Sequence, residues 1–305
     1  MRKRIPQILL LGNGINRAFN SDSWDDLLNS IDRRGEKYDI EDYRCPETLK
    51  AILVTEDNVD KALRTHKERL GNLGTKKPEK QKALLKRLLN AGFDEILTTN
   101  YSYELEIAAL DEENINDKAL RRMQRHTDEV KRCETRFMLH TYNSVELDEE
   151  KRIWHIHGEA RKPDSMILGA YYYGDLLGKI IDLNKKRGNY YARSQSGEKI
   201  PKIRSWTDAF VLGDVYILGF GAGFAESDIW WLLNRKKREK ATVGKTYFYE
   251  LKPKSEINRA KMDLLRLMNV DIIYKSVSGN DWQSAYDWAV GDIEKKVADK
   301  NRRAR

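Results

Sequence analysis

The chain has 305 residues and a formal charge of +8, from 56 Lys and Arg side chains and 48 Asp and Glu side chains. This length is sufficient for one large domain, or two modest ones, with a sizeable core. The two cysteines, Cys45 and Cys133, are far apart in sequence, which argues against a disulfide framework and against a Cys-ligated structural zinc.

Basic residues are interspersed with acidic ones along most of the chain, and only its two ends are densely basic. We interpret these ends as solvated tails, so that any relation to nucleic acid is indirect. The five histidines are scattered except for His155 and His157, and no metal site is predicted. No signal peptide precedes the first strand, and no apolar run approaches the roughly 18 residues of a transmembrane helix. We expect a cytoplasmic protein without membrane contact.

The first apolar run, residues 6–11, has the length of a strand and ends at Gly12-Asn13-Gly14, before a helical pattern. Glycines let the backbone approach a ligand closely, and the first N–H groups of a helix have no intrahelical partner. The turn therefore predicts a phosphate-binding site, although an ordinary glycine turn after a buried strand accounts for it equally well. Arg17, in the helix that follows, is either a phosphate ligand or a surface residue.

Helical patterns then dominate up to the second strand. Ser23 is the predicted N-cap of a helix whose first turn contains Asp25 and Asp26. Residues 39–89 are polar and helical in pattern, with Gly and Pro interruptions, and indicate a helical insertion. A strand over 93–100 ends at Thr99-Asn100, and a helix is predicted from Tyr101 onward. The charged span 111–131 predicts a second, solvated helical excursion.

The second half of the chain alternates between strands and helices. A strand over 153–158 ends at His157-Gly158, and the basic span 185–202 predicts a loop or mobile lid. Strands are then predicted over 214–218, 246–249 and 270–274, and the first of them ends at Gly219-Phe220-Gly221. Helices are predicted over 226–240, 255–268 and 281–298.

This alternation predicts an α/β fold, namely a Rossmann-like parallel sheet with helices on both faces and a helical insertion. Ligands of such sheets bind outside the carboxyl ends of the strands. Four predicted strand ends carry glycine or polar residues at that edge: Gly12-Asn13-Gly14, Thr99-Asn100, His157-Gly158 and Gly219-Phe220-Gly221.

Taken in order, these motifs resemble the sirtuin-like NADases of bacterial anti-phage defence, which share the sirtuin core without its zinc module. The matching segments are Gly12-Asn13-Gly14-Ile15-Asn16, Trp24-Asp25-Asp26-Leu27-Leu28, Thr98-Thr99-Asn100-Tyr101, His157-Gly158, and Gly219-Phe220-Gly221 with Asp228. The resemblance implies one sirtuin-like NAD-binding domain over residues 1–300, with helical insertions at about 39–90 and 111–150.

The resemblance also implies roles for individual residues. Asn100 corresponds to the catalytic asparagine that faces the nicotinamide ribose, and His157 to the catalytic histidine that contacts the ribose hydroxyls. The remaining residues assigned to the NAD site are Gly12, Asn13 and Gly14 at the pyrophosphate, Gly219 and Gly221 at the adenosine, and Asn16, Thr99 and Asp228. NAD is the substrate here, and no separate cofactor is expected.

The chain departs from the family pattern at three positions. Asn13 stands where an alanine is usual, Asn16 where a serine is usual, and Ser102 where an acidic residue is common. Asn13 could narrow the approach of the phosphates, and Ser102 would make a weaker contact to the nicotinamide amide. The chemistry itself suits the residues, since an amide can hold water without adding charge and a histidine can exchange a proton with a hydroxyl.

Structural interpretations remain open for the same residues. Asn100 could cap the helix predicted from Tyr101, and His157 could be a structural histidine. His155 should share the face of His157 along the strand. The aromatic runs Tyr171-Tyr172-Tyr173 and Trp230-Trp231 are interpreted as core or subunit-contact residues.

The predicted function is hydrolysis of NAD to nicotinamide and ADP-ribose, as the toxic effector of an abortive-infection system. Because an ungated NADase would kill its host, we expect control by homo-oligomerisation or by a separately encoded sensor or ATPase/helicase-like partner. The alternative is a non-catalytic nucleotide-binding subunit of a defence complex. A sirtuin-type deacylase would need four zinc-binding cysteines, and an abortive-infection protein of the AbiH type shares the glycine start and the His-Ile-His-Gly stretch.

Overall fold

The computed structural model describes residues 4–19, 23–32, 46–71, 76–110, 140–143, 152–193, 203, 205–239 and 243–304. Both cysteines and the charged span 111–131 lie outside these ranges. No helix among the described residues is long and apolar enough to cross a membrane.

The described strands form one seven-stranded sheet in the order β3-β4-β2-β1-β5-β6-β7. All neighbours are parallel except β3, which pairs antiparallel with β4 at one edge. The predicted α/β architecture with a parallel sheet is therefore confirmed. The strands are β1 Gln7–Leu11, β2 Glu95–Thr98, β3 His140–Asn143, β4 Arg152–His155, β5 Asp214–Leu218, β6 Thr246–Leu251 and β7 Val270–Lys275.

Helices flank this sheet on both faces. The helices are α1 Gly14–Arg17, α2 Trp24–Ile31, α3 Glu47–Thr55, α4 Val59–Thr65, α5 Lys67–Leu70, α6 Glu79–Asn90, α7 Glu104–Leu110, α8 Ala170–Arg193, α9 Trp206–Leu212, α10 Ser227–Arg238, α11 Arg259–Leu267 and α12 Trp282–Ala304. The predicted helix start at Ser23 is confirmed, because its hydroxyl accepts a hydrogen bond from the Asp26 N–H and the Asp26 carboxylate binds the Ser23 N–H in return.

The alternation of side chains along β1 divides the core into two layers. Ile8 and Leu10 belong to a cluster with the apolar faces of α8, α9, α10 and α11. Leu9 and Leu11 belong to a second cluster with α6, α7 and α12. A third cluster joins α2, α3 and α4 to Tyr101, Met166 and Leu168. The helices between β1 and β2 therefore divide into α6, which packs on the sheet as its crossover helix, and α2 to α4, which pack beyond its carboxyl edge.

Three predicted elements are wrong in detail. The span 185–202 was expected to be a loop, but α8 continues through Arg193, since one glycine inside a helix costs only about 1 kcal/mol relative to alanine. The helix expected from Tyr101 begins at Glu104 instead. Within the expected helical insertion 111–150, residues 140–143 form β3, because strand β4 supplies an edge with which they can pair.

Candidate active site

The carboxyl edge of the sheet opens into a cleft of about 2170 Å³. Eight of the predicted site residues line it, brought there by the ends of β1, β2, β4 and β5: Asn13, Gly14, Asn16, Thr99, Asn100, His157, Gly219 and Gly221. Gly12 and Asp228 lie behind the lining. The structure therefore brings together residues that are as far apart in the sequence as Asn13 and Gly221, which are separated by 208 positions.

The two glycine turns of this edge pack directly against each other. The Gly12 N–H donates to the carbonyl of Leu218 at 2.9 Å, and the Gly14 N–H donates to the carbonyl of Gly219 at 2.7 Å. A Cβ at Gly12 would lie 2.5 Å from the Gly219 oxygen, and one at Gly14 would lie 2.3 Å from the Tyr286 hydroxyl. Close packing of the β1 and β5 turns therefore requires these glycines, whether or not a phosphate approaches.

Side-chain amides hold the β1 turn in place. Asn16 is buried, and its Nδ2 donates to Asn13 Oδ1 at 2.9 Å while its Oδ1 accepts from Gln81 Nε2 at 2.8 Å. This chain of amides joins the turn to α6. Asn13 and Arg17 are exposed and line the cleft. A Cβ at Gly221 would meet no atom within 4 Å, so the β5 turn leaves open space on its cleft side.

Asn100 follows β2, and its side-chain oxygen makes no hydrogen bond to the described residues. Its N–H donates to the Thr98 hydroxyl at 3.1 Å, but α7 begins only at Glu104. Asn100 is therefore not the N-cap of that helix, and the capping interpretation is wrong. Its Oδ1 is buried and has no hydrogen-bond partner among the described residues. Buried polar atoms in native proteins are nearly always paired, so this oxygen is a candidate contact for a ligand.

The aromatic residues beside Asn100 explain why the helix starts late. Tyr101 donates its hydroxyl to the carbonyl of Ile167 at 2.6 Å, and Tyr103 donates to the Glu159 carboxylate at 2.6 Å. Both rings are buried away from the helix axis as a result. Ser102, which replaces the acidic residue of the family pattern, lines the cleft and donates its hydroxyl to the Glu104 carboxylate.

His155 is a buried support for Asn100. Its Nδ1 lies 2.8 Å from the Asn100 carbonyl oxygen and its Nε2 lies 2.8 Å from Glu106 Oε1. Burial is the largest single effect and disfavours the imidazolium. The charge and hydrogen bond of Glu106, with smaller contributions from Glu159 and Asn100, outweigh it and raise the pKa of His155 to about 9. Near neutral pH His155 is therefore a cation that donates to Asn100 and to Glu106.

His157 lies beyond the end of β4. The two histidines were expected to share one face of the strand, but their side chains contact different groups. The Nε2 atom of His157 lies 2.9 Å from Asp228 Oδ2, and its Nδ1 lies 3.4 Å from the Tyr173 hydroxyl. Burial is the largest single effect and lowers the pKa of His157, but the charge and hydrogen bond of Asp228 and the charge of Glu226 together outweigh it, so that the net shift is upward. Both ring nitrogens therefore face protein groups, and the side chain is 3% exposed.

Sequence reasoning missed two residues of this network, Tyr173 and Glu226. The Tyr173 hydroxyl donates to Glu226 Oε2 at 3.3 Å, and its ring meets the His157 ring edge-on, with 5.2 Å between the centroids. Glu226 precedes α10 and lines the cleft. The only available signals were an acidic residue two positions before Asp228 and a tyrosine in a run that was interpreted as core.

Glu226 is an unusual carboxyl group because of where it lies. Burial and the neighbouring Asp228 raise its pKa to about 7, against the opposing effect of His157. Asp228 is itself fully buried, and its Oδ1 has no hydrogen-bond partner among the described residues. The cluster therefore contains three titratable groups, of which Glu226 is the most exposed.

His157, Glu226 and Asp228 also form a group with the side-chain types of a metal site. However, the 2.9 Å between His157 Nε2 and Asp228 Oδ2 is the length of a hydrogen bond and leaves no room for an ion between these atoms. A metal ion would have to break that bond. The described arrangement is that of a proton-sharing network.

The model of the SIR2-like domain family matches residues 94–273. The chain belongs to this family. The match begins just before β2, ends within β7, and includes Asn100, His157, Glu226 and Asp228. The sirtuin-like resemblance is therefore confirmed, and membership of the SIR2-like family is compatible with NAD-dependent enzymatic activity. No curated protein matches the chain.

Proposed function

We propose that this SIR2-like protein hydrolyses NAD to nicotinamide and ADP-ribose in the cleft at the carboxyl edge of the sheet. The observation that carries the proposal is at Asn100, a residue that lines the cleft and whose buried side-chain oxygen has no hydrogen-bond partner among the described residues. His157, after the adjacent strand β4, and Glu226, before α10, line the same cleft, and Asp228 lies behind them.

The chemistry of the reaction fits this environment. The bond between ribose C1′ and the nicotinamide nitrogen breaks with its electron pair on the ring, so the leaving group departs neutral and needs no acid. The catalyst must instead position a water molecule and stabilise a ribose that becomes positively charged. The Asn100 amide can hold water or a ribose hydroxyl in place, and the carboxylates around His157 supply negative charge and a proton acceptor.

The glycine turns contribute to the proposed binding of NAD mainly through shape. The Gly14 N–H is already used by Gly219, which reduces the number of amide donors that the β1 turn offers to a pyrophosphate. Arg17 and Asn13 line the cleft and offer a cation and an amide to the same group. The open space beside Gly221 suits the adenosine end.

The role in the cell is proposed from the family resemblance. We place the protein as the toxic effector of an anti-phage abortive-infection system, with activity gated by assembly of identical subunits or by a separately encoded sensor or ATPase/helicase-like partner. The alternative, a nucleotide-binding subunit without turnover, predicts tight binding of NAD and no release of nicotinamide.

A nicotinamide-release assay tests the activity. We expect Asn100→Ala to lower kcat at least a hundredfold, because the variant loses the group that orients the reactants. The matched control is Asn58→Ala, which removes the side chain of an exposed asparagine outside the cleft and should leave the rate unchanged. Wild-type kcat in the Asn100→Ala protein would contradict the proposed site, whereas binding of NAD without any turnover in the wild type would favour the non-catalytic alternative.

A further inference from the structure

Glu226 is the titratable group of the network around His157 that a substrate in the cleft can reach most directly. The side chain of His157 is 3% exposed and that of Asp228 is 0% exposed, whereas the side chain of Glu226 is 26% exposed. The nitrogens of His157 are directed to Asp228 and Tyr173. A substrate in the cleft therefore reaches Glu226 without any rearrangement of the network.

We propose that Glu226 is a catalytic residue that contacts the nicotinamide-side ribose and accepts the proton of the attacking water, while His157 acts through it. This inference rests on the proposed hydrolysis of NAD and changes the assignment of the base in that reaction. His157 becomes a positioning residue, held by Asp228 and placed 3.9 Å behind the Glu226 carboxylate.

Among the described residues, the titratable groups that interact with Glu226 are consistent with this role. Tyr173, from α8, donates a hydrogen bond to its Oε2 and so fixes the carboxylate. His157, after β4, favours the ionised form, while Asp228 on α10 favours the protonated form. Tyr101, after β2, also lies within electrostatic range of Glu226, but its hydroxyl is committed to the Ile167 carbonyl.

The balance between these neighbours keeps the carboxyl ready for proton transfer. Its pKa of about 7 means that both protonation states are populated near neutral pH, which is the condition under which a general base works best. An ordinary surface glutamate has a pKa near 4.3 and accepts a proton much less readily. Partial burial is the largest cause of this difference.

The proposed step forms one bond at ribose C1′ and breaks one. A water oxygen forms a bond to ribose C1′, and the bond from C1′ to the nicotinamide nitrogen breaks with its electron pair on that nitrogen. One proton of the water passes to the Glu226 carboxylate, and nicotinamide leaves neutral. ADP-ribose retains the hydroxyl, and Glu226 later returns the proton to solvent. No oxidant, reductant or further co-reactant is required.

The first test compares the wild type with Glu226→Gln, which keeps the shape of the side chain but cannot accept the proton. We expect kcat to fall at least a hundredfold with little change in KM. The wild type should lose rate below about pH 7, and we expect this loss to be absent in the variant. The matched control is Asp263→Asn, an exposed acidic residue of α11 that pairs with Arg266, which should behave as the wild type. Thermal melting of each variant establishes that it is folded.

The second test does not depend on turnover. ADP-ribose contains the nicotinamide-side ribose and ADP lacks it, so a residue that contacts this ribose affects only the first ligand. We expect Glu226→Ala to weaken ADP-ribose binding by about tenfold and to leave ADP binding unchanged. Equal effects on both ligands, or none on either, would overturn the assignment.

The two tests separate failure of this inference from failure of the proposed function. Rapid nicotinamide release by the wild type together with an unchanged kcat and pH profile in Glu226→Gln overturns the role of Glu226 and leaves the hydrolase intact. Absence of nicotinamide release, at high protein concentration and with co-purifying partners present, together with selective loss of ADP-ribose binding in Glu226→Ala, refutes the hydrolase and supports the ribose contact. A wild type that binds no ADP-ribose refutes both.

Discussion

The two histidines of the β4 end show how neighbours, rather than residue type, set the role of a side chain. His155 pairs with Glu106, which is 49 positions away, and supports the backbone of Asn100. His157 pairs with Asp228, which is 71 positions away, and belongs to the network that reaches the cleft. The sequence predicted that His157 is the functional one, but these partners could not be predicted, since only the folded sheet brings them close.

The His155–Glu106 pair makes stability depend on pH in a defined direction. The folded-state pKa of about 9 exceeds the ordinary histidine pKa of 6.5, so the folded chain binds the proton more tightly than the unfolded chain. The resulting stabilisation is complete below about pH 6.5 and is lost as the pH rises through 9. We expect the free energy of unfolding of the wild type to fall by up to roughly 3 kcal/mol over this window, relative to that of His155→Gln.

Denaturant unfolding of both proteins at pH 6.5 and pH 9 measures this difference. Using the difference between the two proteins cancels the titration of distant groups such as Lys236, whose pKa burial lowers to about 7. Parallel pH dependence of the two proteins would show that His155 is not held as a cation in the folded chain.

At the scale of elements, the glycine turns were predicted correctly in position but for an incomplete reason. An apolar strand followed by glycine identified the ends of β1 and β5 without structural information. The sequence does not reveal that these strands are neighbours, and hence that Gly12 and Gly14 face the backbone of the other turn. Packing between the turns after β1 and β5 therefore accounts for these glycines, in addition to any contact with a ligand.

We expect Gly14→Ala to lower the free energy of unfolding by about 2 kcal/mol, because the added methyl group would force the Tyr286 hydroxyl or the Gly219 backbone to move. The matched control is Gly178→Ala in α8, where a Cβ would meet no atom within 4 Å. Alanine is the better helix former there, and this variant should gain about 0.5 to 1 kcal/mol. Denaturant melts of the two variants should therefore shift in opposite directions, and a shared direction would contradict the packing explanation.

The elements that sequence patterns did not predict are those decided by long-range contacts. Strand β3 exists through its pairing with β4, and no local pattern marked it within the expected helical insertion 111–150. The late start of α7 follows from the burial of Tyr101 and Tyr103 against residues near 160. In contrast, β5, β6, β7 and the helices between them have strong local patterns and were predicted closely.

At the scale of the whole molecule, the parallel sheet determines where the chemistry gathers. Because β4, β2, β1 and β5 are consecutive and parallel in the sheet, their carboxyl ends meet at one edge, and four short motifs become one site. Alternation of strands and helices was sufficient to predict this edge. The degree of burial of each side chain at this edge was not predictable. Burial is what distinguishes the accessible Glu226 from the enclosed His157 and Asp228.

Two exposed aromatic residues near the candidate active site indicate how self-association of the protein would affect catalysis. Tyr171 is 72% exposed and Phe224 is 61% exposed, and each precedes a member of the network, Tyr173 or Glu226, by two residues. Exposed aromatic side chains provide apolar area that a subunit contact would remove from water. A subunit contact that covers them would lie against the segments that contain Tyr173 and the proposed base, Glu226.

We therefore expect the nicotinamide-release rate per chain to rise with protein concentration, in parallel with self-association measured by sedimentation. Phe224→Ser should suppress both the association and the rise in rate, since it removes apolar area from the contact. The control Leu267→Ser alters another exposed apolar residue, 64% accessible on α11, and should leave both unchanged. A rate per chain that stays constant over a thousandfold dilution, while sedimentation reports a single monomeric species throughout, would rule out gating by self-association and leave a separate partner as the proposed means of control.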